Sequence, residues 1–209
     1  MFEISPAEWT AILLSLRVAI IATLVATPFG IALAWLLARY NFWGKSVLDA
    51  LVHLPLVLPP VVTGYLLLLT FGRRGLVGAW LADNLGIVFA FRWTGAALAC
   101  GVMSFPLLVR PIRLSIEAID RRLEQAASTL GAAPWRVFAT VTLPLALPGI
   151  LAGMVLGFAK AIGEFGATIT FVSNIPGETQ TISSAIYSLI QTPDGDTVRY
   201  RAGMAAGAI

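Results

Sequence analysis

"LEQAASTLGAAPWRVFATVTLP", residues 123–144, decides how the rest of the chain is read. It lies between two runs apolar enough to cross a bilayer, yet it opens with charged, small and helix-forming residues. Ala, Leu, Glu and Gln in "RLEQAASTLGAAP" carry high helix propensity, and Gly131 and Pro134 are stop signals for the helix they form. A short helix outside the lipid is expected. Leu123, Ala126 and Leu130 fall at i, i+3 and i+7, so a narrow apolar stripe lies beside a surface of small residues. Two readings of that surface are open: a platform that a protein partner approaches closely, or a linker helix lying on the bilayer.

Composition puts both flanks in lipid. Of 209 residues, 58% are hydrophobic and 12% charged, where an ordinary soluble domain carries roughly 25% charged residues. Mean hydropathy is +0.85. The chain is an integral membrane protein. Its single cysteine, Cys100, rules out an intramolecular disulfide and any multi-cysteine metal cluster. The net charge is +3, but the cations are scattered between hydrophobic segments and not grouped into a basic stripe, so they read as topology signals and not as a nucleic-acid surface.

A hydrocarbon core about 30 Å thick requires roughly 20 mostly apolar helical residues. Four runs meet that length: residues 10–38, 47–71, 94–116 and 137–163. The first follows Glu3 and Glu8, not a cationic segment, and is too long for a secretory signal, so it is read as a permanent span. Arg17 and Lys160 fall near span ends, where long side chains reach the interface. Residues 164–196 mix β-branched residues and turn formers with one apolar patch, "SSAIYSLIQ", and read as a loop with short interfacial or partly inserted helices. "RAGMAAGAI" at the end opens another apolar run that is too short to span, so a closing helix is expected to be incomplete. Arg39, Lys45, Arg110, Arg113, Arg121, Arg122 and Arg136 lie on the side of residues 123–144, against Arg73, Arg74, Arg92, Arg199 and Arg201 on the other. The excess of cations places that loop in the cytoplasm and the N-terminus outside.

The loop resembles the EAA loop of ABC-transporter permeases, whose pattern is Glu-Ala-Ala, three residues, Gly, nine residues, then Ile-x-Leu-Pro. Ala126, Ala127, Gly131, Leu143 and Pro144 match it. Gln125 stands where the family usually has Glu, with Glu124 one place earlier, and Val141 stands for Ile. "HLPLVLPPVVTGYLLL", from His53, and "GEFGATITFVSNIPGETQTI", from Gly163, resemble the permease family of molybdate ABC transporters over nearly the whole chain. Sulfate and thiosulfate permeases share the plan with a less similar second stretch.

The resemblance implies an all-α, polytopic transmembrane helical bundle of the type I (MetI-like) importer permease kind. It implies one transmembrane domain over residues 1–209, with a cytoplasmic coupling loop at 121–136 that docks in an ATPase groove. It further implies a second permease copy, two cytoplasmic ATPase subunits, an extracytoplasmic molybdate-binding protein and an inner-membrane location. Tungstate, of nearly the same size and charge as molybdate, is expected to use the same machinery. Membrane lipid surrounds the chain, and the reading calls for no cofactor, metal or nucleic acid.

Other residues are weighed beside this reading. Pro55, Pro59 and Pro60 remove backbone hydrogen bonds inside the second span, either opening a water-lined path or shaping a packing kink. Pro106 makes a similar case in the third span. Gly149, Gly153 and Gly157 form consecutive G-x-x-x-G spacings, which let a helix backbone of the same or another protomer come close. Lys160 and Glu164, one turn apart, either lend positive potential to an anion path or satisfy each other as a pair. "WGKS", residues 43–46, lacks the earlier glycine of a phosphate-binding loop, because Arg39 occupies that position. His53 is the single histidine and reads as structural. With no nucleophile, base and orienting group together, the chain is read as a transport permease and not an enzyme. An ATPase-independent channel or secondary transporter is the alternative, and it needs midplane ionisable groups or a selectivity filter.

Overall fold

The computed structural model describes residues 6–191, and the expected incomplete closing helix lies outside them. Ten helices are described: α1 (Pro6–Arg39), α2 (Lys45–Val57), α3 (Pro60–Phe71), α4 (Leu76–Leu85), α5 (Trp93–Ala118), α6 (Arg121–Thr129), α7 (Pro134–Leu145), α8 (Leu147–Ile162), α9 (Gly166–Val172) and α10 (Ile182–Gln191). Among the described residues there is no strand. This is the outcome lipid demands, since a helix satisfies its own backbone groups where water cannot.

Two of the four expected spans are single helices. α1 has 34 residues, about 51 Å of helix, and α5 covers the third run. The other two are broken. The second run, expected as one span over 47–71, is α2 and α3 meeting at 115° across Leu58 and Pro59. Pro59 and Pro60 supply no N–H, and Leu58 is extended, so the helix ends and restarts there. The fourth run starts earlier than expected, at Pro134, and α7 meets α8 at 68° around Ala146. Within α7, Phe138–Thr142 is wound as a π-helix.

α5 is the hub, with α1 packed along one side and α8 along another. Small buried residues let the three come close: Ala19, Ala22 and Ala34 on α1, Ala96, Ala99 and Cys100 on α5, and Gly149, Gly153 and Ala161 on α8. One apolar cluster, around Met103 and Phe171, fills the end of the bundle where α5 begins. A second, around Leu108 and Ile112, fills the end where it stops. α9 lies in the stretch expected as a loop with short interfacial or partly inserted helices, and it goes deeper than expected, with Ala167, Thr168, Phe171 and Val172 buried against α3 and α5. α10 fits the expected short helix and is tied to α1 through the Ile182 N–H donating to Ser15 Oγ at 2.8 Å. α4, absent from the four runs, is bounded by Gly75 and Gly86, and Gly86 takes the left-handed conformation that ends it.

Candidate functional site

The segment that opened the sequence reading folds as a capped, surface-lying helix. Asp120 caps α6 by accepting from the Arg122 N–H at 2.9 Å. Gly131, with φ +85°, ends it in a Schellman arrangement: its N–H donates to Ser128 O and the Ala132 N–H donates to Ala127 O. No side chain of α6 is fully buried. Gln125 and Ala126 are exposed and Ala127 is half-buried, while Leu123 and Leu130 stand 50% and 89% exposed. The apolar stripe and the small-residue surface are both open to a partner.

The end of the motif lies apart from its beginning. Leu143 packs against the second core cluster and Pro144 is exposed at the end of α7, next to the bend at Ala146. Glu124 joins the two parts. Its Oε1 lies 3.0 Å from Arg39 Nη2 at the end of α1 and accepts the Thr142 hydroxyl at 2.6 Å in the π-helical turn. Arg39 also donates to the Ile119 carbonyl at 3.3 Å, where α5 has just ended.

The second group of predicted residues is divided by the fold. Pro60 lies against Gly166, where an added Cβ would meet the Pro60 Cβ at 2.7 Å. The α2–α3 break therefore adjoins the start of α9, two residues after Glu164. Lys160 donates to Glu164 at 2.6 Å, and Glu164, almost wholly buried, also accepts the Ala167 N–H at the start of α9. Lys160 keeps 29% of its side chain exposed. Pro55 is elsewhere, lining an apolar cavity of about 700 Å³ between α1, α2 and α5.

The glycine stripe lies on α5 of the same chain. A Cβ at Gly153 would come 2.6 Å from the Leu108 carbonyl oxygen, and one at Gly149 would strike Ser115 and lie 2.8 Å from Pro111 O. Gly157 leaves ordinary contact distance to Leu108. Gly30 of α1 meets Leu108 from the other side, so this wholly buried leucine is gripped between two glycine-bearing helices.

The family model described as binding-protein-dependent transport system inner membrane component matches residues 26–209. The chain belongs to this family. It is therefore an inner-membrane transport permease with an all-α fold. Over 190 residues it is 65% identical to the molybdenum transport system permease protein ModB of Escherichia coli K12, covering 91% of this chain and 83% of that one. It is 40% identical to a putative molybdenum permease, YvgM, of Bacillus subtilis, covering 88% and 82%. It is also 37% identical to the sulfate permease CysT of E. coli K12, covering 91% and 68%. Among solved structures, a bacterial alginate ABC transporter bound to its periplasmic protein superposes with TM-score 0.73 at 22% identity, covering 98% of this chain and 73% of that one. That likeness carries the fold.

Three residues of the permease were not singled out by the sequence reading. Asp120 bears an ordinary N-cap signal, an aspartate directly before a helix-forming run. In the sequence Arg39 reads as a topology charge and as the residue that breaks a phosphate-loop pattern, and Thr142 as the variable position inside the motif. Their meeting at Glu124 joins residues 85 and 18 positions apart, which no local pattern encodes.

Proposed function

We propose that this permease carries molybdate, and tungstate with it, inward across the cytoplasmic membrane, driven by ATP hydrolysis on a separate subunit. One observation carries the substrate: the 65% identity to a molybdenum permease, against 37% to the sulfate permease of the same species. In this reading residues 1–209 form one transmembrane domain and residues 121–136 its cytoplasmic coupling loop. The exposed face of α6, with Gln125, Ala126, Ala127 and Gly131, seats in an ATPase subunit. Leu143 and Pro144 carry the motion to the bend before α8.

A second permease copy completes the path, two ATPase subunits sit below, and an extracytoplasmic binding protein delivers the oxyanion. Selection of the anion falls to that binding protein, because the described residues hold no ring of donors suited to a tetrahedral anion. The path is placed at the α2–α3 break. Pro59 and Pro60 leave backbone carbonyls there that only protein or a water-lined cavity satisfies, while Lys160, 2.6 Å from Glu164, is read as half of a mutually satisfied pair and not as a free cation.

The test is uptake into vesicles holding the permease with its ATPase and binding protein. ATP-dependent molybdate uptake that excess sulfate does not suppress is expected. Preferential sulfate uptake overturns the substrate, and uptake without the ATPase overturns the class.

A further inference from the structure

α6 is attached to the bundle mainly through polar contacts. None of its side chains is fully buried, and a cleft of about 520 Å³ separates its Gln125, Ser128 and Thr129 from Trp35 and Phe138. It adds no residue to either apolar cluster, so apolar packing is a minor part of its attachment. Its side-chain fastening to α1 and α7 is one carboxylate oxygen, Glu124 Oε1, shared by the Arg39 guanidinium at 3.0 Å and the Thr142 hydroxyl at 2.6 Å.

Both partners occupy positions that matter mechanically. Arg39 is the last residue of α1 and also holds the carbonyl after α5. Thr142, 1% exposed, is the last residue of the π-helical turn, four residues before the 68° bend into α8. Wide π-turns inside helices concentrate at functional sites, because the extra residue loosens the ladder locally. Trp35 and Phe138, with ring centroids 5.2 Å apart, brace α1 against the same turn.

We infer that Glu124, with Arg39 and Thr142, is a transmission latch: a positioning carboxylate that passes displacement of α6 to the end of α1 and to the hinge between α7 and α8. The inference rests on the reading of α6 as the ATPase-coupling helix. A carboxylate is suited to the task because it accepts from a cation and a hydroxyl at once, and charge-assisted bonds are short and directional. Packing would give α6 a broad attachment, whereas one shared oxygen gives it a joint.

The experiment compares Glu124→Gln, Thr142→Val and the double variant in the complete transporter, measuring molybdate uptake and ATP hydrolysis on the same vesicles. Each single variant is expected to assemble and hydrolyse ATP, with uptake per ATP reduced about tenfold, as loss of one charge-assisted hydrogen bond implies. The double variant is expected to be no worse than Glu124→Gln, since both changes cut one joint. Unchanged uptake per ATP, or additive losses in the double variant, overturns the latch. So does a fall in both activities that only tracks complex yield, which marks a merely structural contact. Should Glu124→Gln fail to assemble, Thr142→Val decides alone, because it removes a single hydroxyl and keeps the ion pair. Failure of the unaltered chain to couple to its ATPase instead overturns the proposed function.

Discussion

α6 and α8 are separated in sequence by α7 and are held by opposite means. α8 lays Gly149, Gly153 and Gly157 along α5, where an added Cβ at the first two would reach backbone oxygen atoms. α6 has no fully buried side chain and is fastened through Glu124. Dispersion over a close backbone seam is spread across many atom pairs and does not yield to small displacements. A shared carboxylate concentrates the attachment in two directional contacts that a modest rotation alters. The contrast separates the part of the permease that keeps its shape from the part built to respond to a partner.

The sharpest way to break the contrast is Gly153→Leu. A branched side chain directed at the Leu108 carbonyl forces α8 away from α5 along the whole seam, at a cost of roughly 3 kcal/mol or more. Leu156→Ile, a volume-conserving change at a residue 48% exposed, costs well under 1.5 kcal/mol. Assembled yield in detergent is expected to collapse for the first and hold for the second. Equal yields mean that the seam does not hold the bundle.

A smaller loss is expected from Lys160→Met. It leaves Glu164 buried, with the Ala167 N–H as its remaining bond. Breaking a buried pair from one side is costly because a desolvated charge remains, and with Lys160 partly in solvent the loss is about 2 kcal/mol. Lys160→Met with Glu164→Gln is expected to recover most of it, since a neutral amide oxygen still accepts from Ala167. Thermal unfolding of the three forms measures this. A double variant as unstable as the single one breaks the account of the pair.

How far the sequence can be read follows the same division. α1 and α5 were legible because length and hydropathy define a span, and the glycine spacing announced a close seam without naming its partner. The prolines announced broken backbone near residue 58, but a 115° bend depends on how α3 packs against α9. α9 falls in the stretch read as a loop with short, partly inserted helices, but its depth in the core was not legible, because "GATITFV" has strand-like composition and only the need to pair every backbone group inside lipid fixes it as a helix. α4 escaped because ten residues fall short of a span. At the candidate site the exposed motif was readable, whereas the joint beneath it needed Arg39 and Thr142 brought to Glu124 from distant places in the chain.

The smallest effect, and the one that sharpens the contrast most, is expected at Gly131. An added Cβ meets nothing within 4 Å, so the glycine is required by its φ of +85° and not by space. Gly131→Ala then costs about 1 kcal/mol of left-handed strain, which α6 relieves by unwinding its last turn and losing the bonds to Ala127 and Ser128. Because α6 adds nothing to the apolar core, the melting temperature of the bundle should stay within error of the unaltered protein. ATPase stimulation should fall about fivefold, the factor that 1 kcal/mol represents, because the docking face is displaced in part of the population. Gly131→Asn should recover most of that loss, since asparagine enters the left-handed region at lower cost than alanine. If Gly131→Ala lowered the melting temperature as Gly153→Leu does, α6 would belong to the rigid part of the permease and the division between seam and joint would fail.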